Sequence, residues 1–481
     1  MEKVQMLIGG QWVDAVSGRT QEVINPANSE VIAEVPRGGP EDANHALEAA
    51  AQAFEGWSNR PPIERARIIR RAAQIARERI DELASWLTME QGKPLNEARG
   101  EITASVDALE YFAEEARRMF GEIIPTDSSR RRSLVIKQPV GPVVAIGPWN
   151  YPVLLLSWKL APALIAGCTV VAKPSIETPV AATRFIGCLV EAGAPDGVAN
   201  VVIGRGNEVG PSLVTNPHTR KVSITGQTTT GKEIMRLGAE GLKRVSLELG
   251  GNCPLIVFPD ADVAAAVKGG VYRSFRNMGQ ICNAINRIYV HRSIYDQFVE
   301  AFVEQTKALT IGDGLKNPDV DLGPMINKSA LNTTKEHILD AVQKGAKVLY
   351  GGKEPEGEEF ARGFFFMPTV LVNVDHSMKV MREETFGPVA PIMAFDQVEE
   401  VIDYANDSPY GLVAYIYTKD LATALRVSER LEFGTVGVNN VSGGEVPFPY
   451  GGWKQSGMGI ENSSHALNEY LLLKHIRIDI G

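Results

Sequence analysis

What most limits the folds open to this chain is an alternation that begins near residue 140. Short β-branched runs fall at Val140–Ile146, Thr169–Ala172, Ala199–Ile203, Val222–Thr225 and Val245–Leu249, with helix-like segments between them. Parallel strands cannot be closed by a hairpin and need a crossover of a dozen or more residues, so this rhythm predicts βαβ units and a parallel sheet. A second alternation follows Cys282, with apolar runs at Arg287–His291, Lys347–Leu349, Thr369–Val374, Ala390–Ala394, Ala414–Tyr417 and Gly434–Asn439. It predicts a second α/β sheet.

The flanks read differently. The first 60 or so residues predict short strands and turns, with Gly9-Gly10 before Gln11-Trp12-Val13 as a hairpin signal. From Pro61-Pro62 to about Gln91 one amphipathic helix is expected, its stripe formed by Ile68, Ala72, Ile75, Ala76, Leu83 and Leu87. A second helix should run from about Asn96 to Phe120, followed by a polar excursion from Gly121 to Ser133. The basic triplet Arg130-Arg131-Arg132 reads as a solvated turn. The tail from Leu471 to Ile480 alternates apolar and polar residues, as an edge strand that pairs with another element or subunit would.

Length and composition bound the function. At roughly 150 residues per domain, 481 residues give about three domains. An apolar fraction of 44% fills a sizeable core and excludes a disordered chain. The balance of 49 basic against 58 acidic side chains, a net charge of −9, argues against nucleic-acid binding. Four cysteines without C-x-x-C spacing and histidines never three or four apart give neither a disulfide framework nor a zinc or other metal site. No signal-peptide pattern opens the chain, and the longest apolar stretch, Leu160–Ala172, is short of the ~20 residues a membrane helix needs. No membrane association and a reducing cytoplasm are therefore expected.

Three residues stand out as chemistry. Cys168 and Cys188 sit in apolar runs and read as small buried hydrophobes, whereas Cys282 lies between Gly279-Gln280 and the polar Asn283. A cysteine at a helix end can carry a lowered pKa and act as a thiolate nucleophile; a buried hydrophobe remains the alternative. Glu248 is a lone carboxylate closing an apolar strand before Gly250-Gly251, where a raised pKa would suit a general base. A plain ion pair at a sheet end remains open. Asn150, in Gly147-Pro148-Trp149-Asn150-Tyr151-Pro152, follows a strand at a carboxyl-end loop, the place where open α/β sheets collect ligands. Its amide could hold an oxyanion or simply build the turn. The usual G-x-G-x-x-G is absent from the first βα turn, but Thr225-Gly226-Gln227-Thr228-Thr229-Thr230-Gly231 follows a strand and opens a helix whose amides could take a pyrophosphate. Lys173, in Lys173-Pro174-Ser175, also ends a strand and could reach ribose hydroxyls.

In combination these segments resemble the aldehyde dehydrogenase superfamily, over essentially the whole chain. The resemblance rests on PWN at Pro148–Asn150, KPS at Lys173–Ser175, Gly226 with Gly231, ELGG at Glu248–Gly251 and GQIC at Gly279–Cys282. It continues with EETFGP at Glu383–Pro388 and PYGGWKQSG at Pro449–Gly457. The spacing of 34 residues from Glu248 to Cys282 agrees as well. It implies an α/β fold with a Rossmann-like cofactor domain (1–118 and 139–248), an α/β catalytic domain (249–445) and a small β oligomerisation arm (119–138 and 463–481). The implied reaction is NAD(P)-dependent oxidation of an aldehyde to the acid. Cys282 would be the nucleophile, Asn150 would hold the oxyanion with the Cys282 N–H, Glu248 would activate water, and Lys159 with Glu461 would pass protons to solvent. The cofactor, NAD or NADP, would lie against Ile146, Pro148, Trp149, Lys173, Ser175, Ile176, Arg205, Gly206, Gly210, Gly226, Gln227, Thr228, Gly231, Leu249, Glu384 and Phe386.

Three departures bear on specificity. Members that prefer NAD often carry a glutamate where this chain has Ile176; with Arg205 nearby, NADP should be accepted as well as NAD. Gln227 replaces the usual serine, which puts the pyrophosphate contact there in doubt, and Asn252 replaces a common lysine. The substrate pocket is expected at Tyr151, Trp158, Ile281, Asn283 and Tyr450. Many succinate-semialdehyde members carry an arginine where this chain has Trp158, and a second cysteine where it has Ala284. A small aliphatic aldehyde or semialdehyde is the expected substrate, and a homodimer or homotetramer the expected assembly. Rival readings are a CoA-acylating enzyme, which Glu248 disfavours, and a thiol esterase or structural protein that kept the fold.

Overall fold

The computed structural model describes residues 2–481. Its centre is two twisted sheets joined by a short link. The first runs in the order Gly457–Met458, Arg244–Glu248, Lys221–Thr225, Val143–Ile146, Val170–Lys173, Ala199–Val201, Met6–Ile8, Gln11–Val13. The five strands from Arg244–Glu248 to Ala199–Val201 pair in parallel, as the alternation predicts, and antiparallel strands flank them. The strand order reverses at Val143–Ile146, because the chain moves outward to 170 and 199 and then returns to 221 on the other side. A crevice at such a reversal is where doubly wound sheets bind ligands.

The second sheet runs Lys347–Tyr350, Thr369–Val372, Val389–Phe395, Ile285–His291, Cys253–Val257, Val413–Tyr417, Thr435–Val438. It begins at Cys253–Val257, ahead of Cys282, which corrects the expectation that the second alternation starts only after that cysteine. This strand is buried throughout and sits inside the sheet, with Ile285–His291 and Val413–Tyr417 on its two sides. A continuously apolar run buried on both faces carries no alternation to betray it.

Residues Pro40–Ser58 form a helix, contrary to the reading of the first 60 residues as strands and turns. Pro40 occupies its first turn, and Asp42 Oδ2 accepts the Gly39 N–H at 2.8 Å. Its buried stripe is Ala43, Ala46, Leu47 and Ala50, too rich in alanine to stand out as apolar. The single helix expected from Pro61 to Gln91 is two, Pro62–Glu78 and Ile80–Gln91, broken at Arg79, which forks onto Glu191 at 2.7 and 2.6 Å. The next helix spans Leu95–Glu115 and ends before Phe120. Arg131 and Arg132 lie in a strand, Arg131–Pro139, rather than in a turn. That strand is the middle of a three-stranded sheet, between Glu122–Ile124 and the tail strand Leu471–Asp479.

Candidate active site

The carboxyl ends of the first sheet face the amino ends of the second. Leu249–Asn252 spans the gap between Glu248, which ends one strand, and Cys253, which begins the next. The link passes so close to the nucleophile loop that a Cβ on Gly251 would sit 2.2 Å from the Cys282 carbonyl oxygen. Cys282 itself follows a run of three left-handed residues, Asn277, Met278 and Gly279, with φ of 48, 60 and 68°. Such a run is strained and persists only where its surroundings hold it. Here Gln91 Nε2 donates to Asn277 Oδ1 at 3.1 Å, Gln280 Nε2 donates to Asn277 O at 3.0 Å, and Gln280 Oε1 accepts the Ile326 N–H at 2.9 Å. A Cβ on Gly279 would meet the Gly387 carbonyl oxygen at 2.3 Å, so the turn also needs that glycine.

Between the sheets lies a cavity of about 180 Å³. It brings together Asn150, Tyr151, Trp158, Glu248, Ile281, Cys282, Asn283, Tyr450 and Glu461 from the sequence-predicted set, with Arg273 and Arg276 in addition. The Cys282 thiol lies 3.7 Å from Tyr450 Oη, which also accepts from Asn283 Nδ2 at 3.3 Å. Burial pushes the thiol pKa up to about 12, against the expectation of a lowered pKa at a helix end. Desolvation decides this, because Cys282 follows the carboxyl end of a short 3₁₀ segment, Arg276–Gly279, and no helix amino terminus stands there to favour the thiolate. Asn150 Nδ2 donates to the Gln280 carbonyl at 3.0 Å, which leaves its second amide N–H for a ligand.

Glu248 is 4% exposed, and neither of its carboxylate oxygens has a hydrogen-bond partner. Burial, followed by the nearby Glu461 carboxylate, raises its pKa well above the ordinary range, against smaller pulls from Lys159 and from the neighbouring Gly452 N–H, which does not reach hydrogen-bond geometry. The sheet-end ion pair left open for it is therefore not formed. Lys159 instead pairs with Glu461 at 2.6 Å and donates to Thr225 Oγ1 at 2.6 Å, both charges being buried. Tyr151 Oη and Trp158 Nε1 are also buried without a partner, and Trp158 meets Tyr450 edge to face at 5.6 Å between ring centres.

Several supporting residues escaped the sequence reading. Lys93 Nζ is fully buried, pairs with Glu101 at 2.6 Å and donates to the Asn150 carbonyl at 2.7 Å. Glu101 Oε1 accepts the N–H groups of Val153 and Leu154 at 3.0 and 3.2 Å, capping the helix Pro152–Ala166 that carries Trp158 and Lys159. Nothing local in the sequence marks Lys93 or Glu101 as buried. Arg276 could have been found, since it stands three residues before GQIC.

The family model described as the aldehyde dehydrogenase family matches residues 12–476. The chain belongs to the aldehyde dehydrogenase family. It is 45% identical to an NADP(+) succinate-semialdehyde dehydrogenase of Escherichia coli, over 99% of this chain and 98% of that protein. A glutarate-semialdehyde dehydrogenase of Pseudomonas putida is 44% identical, over 99% of this chain and 98% of its own length. Among solved structures, an NADP-dependent enzyme of E. coli superposes with a TM-score of 0.97 at 44% identity, covering 99% of this chain and 98% of that one. This aldehyde dehydrogenase is thus an oxidoreductase that acts on aldehydes with NAD or NADP as acceptor.

The crevice of the first sheet fits such a cofactor. Ile146 ends the strand at the reversal point, with Pro148 and Trp149 just beyond it, and Gly226 and Gln227 follow the end of its neighbour. The helix Thr228–Ala239 opens there without a side-chain cap, so its first amides are available to a pyrophosphate. Gly231 lets that helix settle on Leu249, whose Cδ1 a Cβ would meet at 2.6 Å. Thr228 Oγ1 is engaged with the Gln455 carbonyl at 3.2 Å, and Gln227 is exposed. The buried Lys173 ammonium donates to the Pro174 carbonyl at 3.2 Å, and burial pulls its pKa down to about 8, a poor state that ribose hydroxyls would relieve. Glu384 Oε1 accepts the Gly251 N–H at 2.9 Å, with its pKa raised to about 7 by burial. Phe386, itself left-handed at φ 48°, meets Trp149 edge to face at 5.4 Å, so the two halves close on one another there. Ser175 Oγ takes part in a local turn, accepting the Glu177 N–H at 3.4 Å, and Ile176 is half-buried against the core. Arg205 immediately precedes the helix that carries Gly206 and Gly210, makes no side-chain capping hydrogen bond to it, and donates to Gln21 Oε1 at 3.1 Å. Its exposed guanidinium can leave that neutral partner at small cost.

Proposed function

We propose that this enzyme oxidises a short-chain semialdehyde to the dicarboxylic acid, with water as the final acyl acceptor. The observation that carries the reading is Glu248, a buried carboxylate without a hydrogen-bond partner on the wall of the cavity that holds Cys282. The names of its relatives and the small cavity support a short substrate with a second acidic group.

In this reading Cys282 Sγ gives up its proton to water in the cavity and bonds to the aldehyde carbon, and the carbonyl electron pair moves to oxygen. The free N–H of Asn150 and the Cys282 N–H stabilise that oxyanion; one such donor is worth about 10²–10³ in rate. Lys173, Glu384 and the amides of Gln227 and Thr228 would hold NAD(P), which would supply the acceptor for the hydride that leaves the sulfur-bound carbon, so that Cys282 carries a thioester. Glu248 then takes a proton from water, the water oxygen bonds to the thioester carbon, and the carbon–sulfur bond breaks to return Cys282. Lys159, Glu461 and Thr225 form the relay that clears the proton. Ile176 in place of a carboxylate, together with the exposed cation Arg205, favours acceptance of NADP.

We assign residues 1–118 and 139–248 to the cofactor domain and 249–445 to the catalytic domain, with Gly457–Met458 returning to the cofactor sheet. The three-stranded sheet of 119–138 and the tail leaves Ile123 and Leu473 exposed, which favours use as an arm between subunits in a dimer or tetramer. A monomer in light scattering at working concentration would contradict this. The deciding experiment for function is an aldehyde panel run with NAD and NADP in parallel. Equal amounts of acid and reduced nicotinamide without CoA are expected; product that appears only when CoA is supplied, as acyl-CoA, would overturn the reading.

A further inference from the structure

Arg273 is 3% exposed, yet among the described residues no carboxylate pairs with it. Its Nε and Nη2 donate to the Val441 carbonyl, at 2.8 Å from Nε, and its Nη1 donates to Asn283 Oδ1 at 3.2 Å. A guanidinium carries five N–H groups and stays charged at any pH a protein survives, so two donors and a full charge are left over. A buried charge without a counter-ion is costly, and cavities that keep one generally have a use for it. The other cations near the cavity are spoken for. Arg276 pairs with Glu97 at 2.5 Å, Lys159 with Glu461 and Lys93 with Glu101. Gly443, which also lines the cavity, keeps the approach open, since a Cβ there would stand 3.5 Å from Arg273 Nη1.

We propose that Arg273 holds the distal carboxylate of the substrate while Cys282 engages the aldehyde at the other end. The proposal rests on the semialdehyde reading above and names the residue behind it. Contacts already connect the two ends. Arg273 reaches Asn283, Asn283 donates to Tyr450 Oη, and Tyr450 lies against the Cys282 thiol. A short chain laid along that path passes the aromatic walls of Trp158 and Tyr450 with its charge at Arg273. Guanidinium and carboxylate match as planar, two-point partners, which an ammonium could not reproduce.

The test compares 4-oxobutanoate with butanal, of equal chain length, in the wild type and in Arg273→Gln and Arg273→Lys. The wild type should prefer the carboxylate substrate in kcat/KM. Arg273→Gln should cut that preference about 100-fold, mainly through KM, as loss of a buried charge pair does; Arg273→Lys should recover about a tenth of it. An unchanged preference ratio in Arg273→Gln overturns the assignment, whether or not overall activity falls. A wild type that prefers butanal overturns the semialdehyde reading instead. Should Arg273→Gln not fold, the wild type still decides: succinate should compete with butanal where butanoate does not, and equal inhibition by the two overturns the proposal.

Discussion

Glu101 and Glu248 are both buried carboxylates on the wall of one cavity, and their surroundings treat them in opposite ways. Glu101 is saturated, with Lys93 on one oxygen and two helix N–H groups on the other. Glu248 has no hydrogen-bond partner on either oxygen. A saturated charge fixes geometry, here the start of the helix that carries Trp158 and Lys159. A bare one stores a high-energy state that a proton relieves, which is what a general base needs. The same contrast separates the paired Arg276 from the unpaired Arg273.

The largest effect tests the group that the bare carboxylate serves. Cys282→Ala should abolish dehydrogenase turnover while nicotinamide binding, followed by fluorescence titration, persists; measurable turnover would remove Cys282 as nucleophile. Glu248→Gln comes next. Steady-state rate should fall by about 10²–10⁴, after one fast burst of reduced nicotinamide per site. A normal rate beyond the first turnover would place the bare carboxylate outside the chemistry and end the contrast with Glu101.

Acidity sharpens the same contrast. Because burial raises the Glu248 pKa, its acid form is favoured in the folded state, and the stability linked to that proton is given up as pH rises through the folded pKa. Hydrolysis needs the ionised form, so activity rises over the interval in which that stability is lost. The acidic limb of kcat should therefore lie above the ordinary carboxylate range and vanish in Glu248→Gln. A limb near pH 4.5 would contradict the burial argument.

Glu101→Gln should act on stability. Leaving Lys93 buried without its counter-ion costs about 3–5 kcal/mol, readable by denaturant unfolding. Lys93→Met added to it should restore part of the loss, since removing both charges leaves neither uncompensated. Additive losses would mean that the pair is not the unit it looks like.

How much of this was legible in the sequence follows from where each signal resides. Glu248 stood out because one carboxylate closes an apolar strand, and Asn150 because it follows a strand end. The five parallel strands of the first sheet could be read from β-branched runs. Cys253–Val257 could not, because a strand buried on both faces has no period of two and this one follows directly on a glycine link. The alanine stripe of Pro40–Ser58 was too faint for the same kind of reading. Lys93, Glu101 and Arg273 look like surface charges, because their burial is decided by elements distant in sequence. The Cys282 thiol misled for that reason too: its neighbours suggested activation, and its desolvation is a tertiary effect.

The smallest effect concerns the cofactor, where both groups at issue are peripheral. Ile176 offers no charge to repel a 2′-phosphate, and Arg205 is exposed and bound to a neutral glutamine side chain. A solvent-exposed cation contributes at most about 1 kcal/mol, so Arg205→Ser should lower kcat/KM for NADP about fivefold relative to NAD. Ile176→Glu should push the same ratio further toward NAD, because a half-buried carboxylate repels a phosphate more strongly than an exposed cation attracts it. An NADP efficiency in the wild type a thousandfold below that of NAD would remove both residues from selectivity. In contrast to Arg273, whose charge is buried and uncompensated, Arg205 acts through water, and salt should weaken its contribution while leaving that of Arg273 nearly intact.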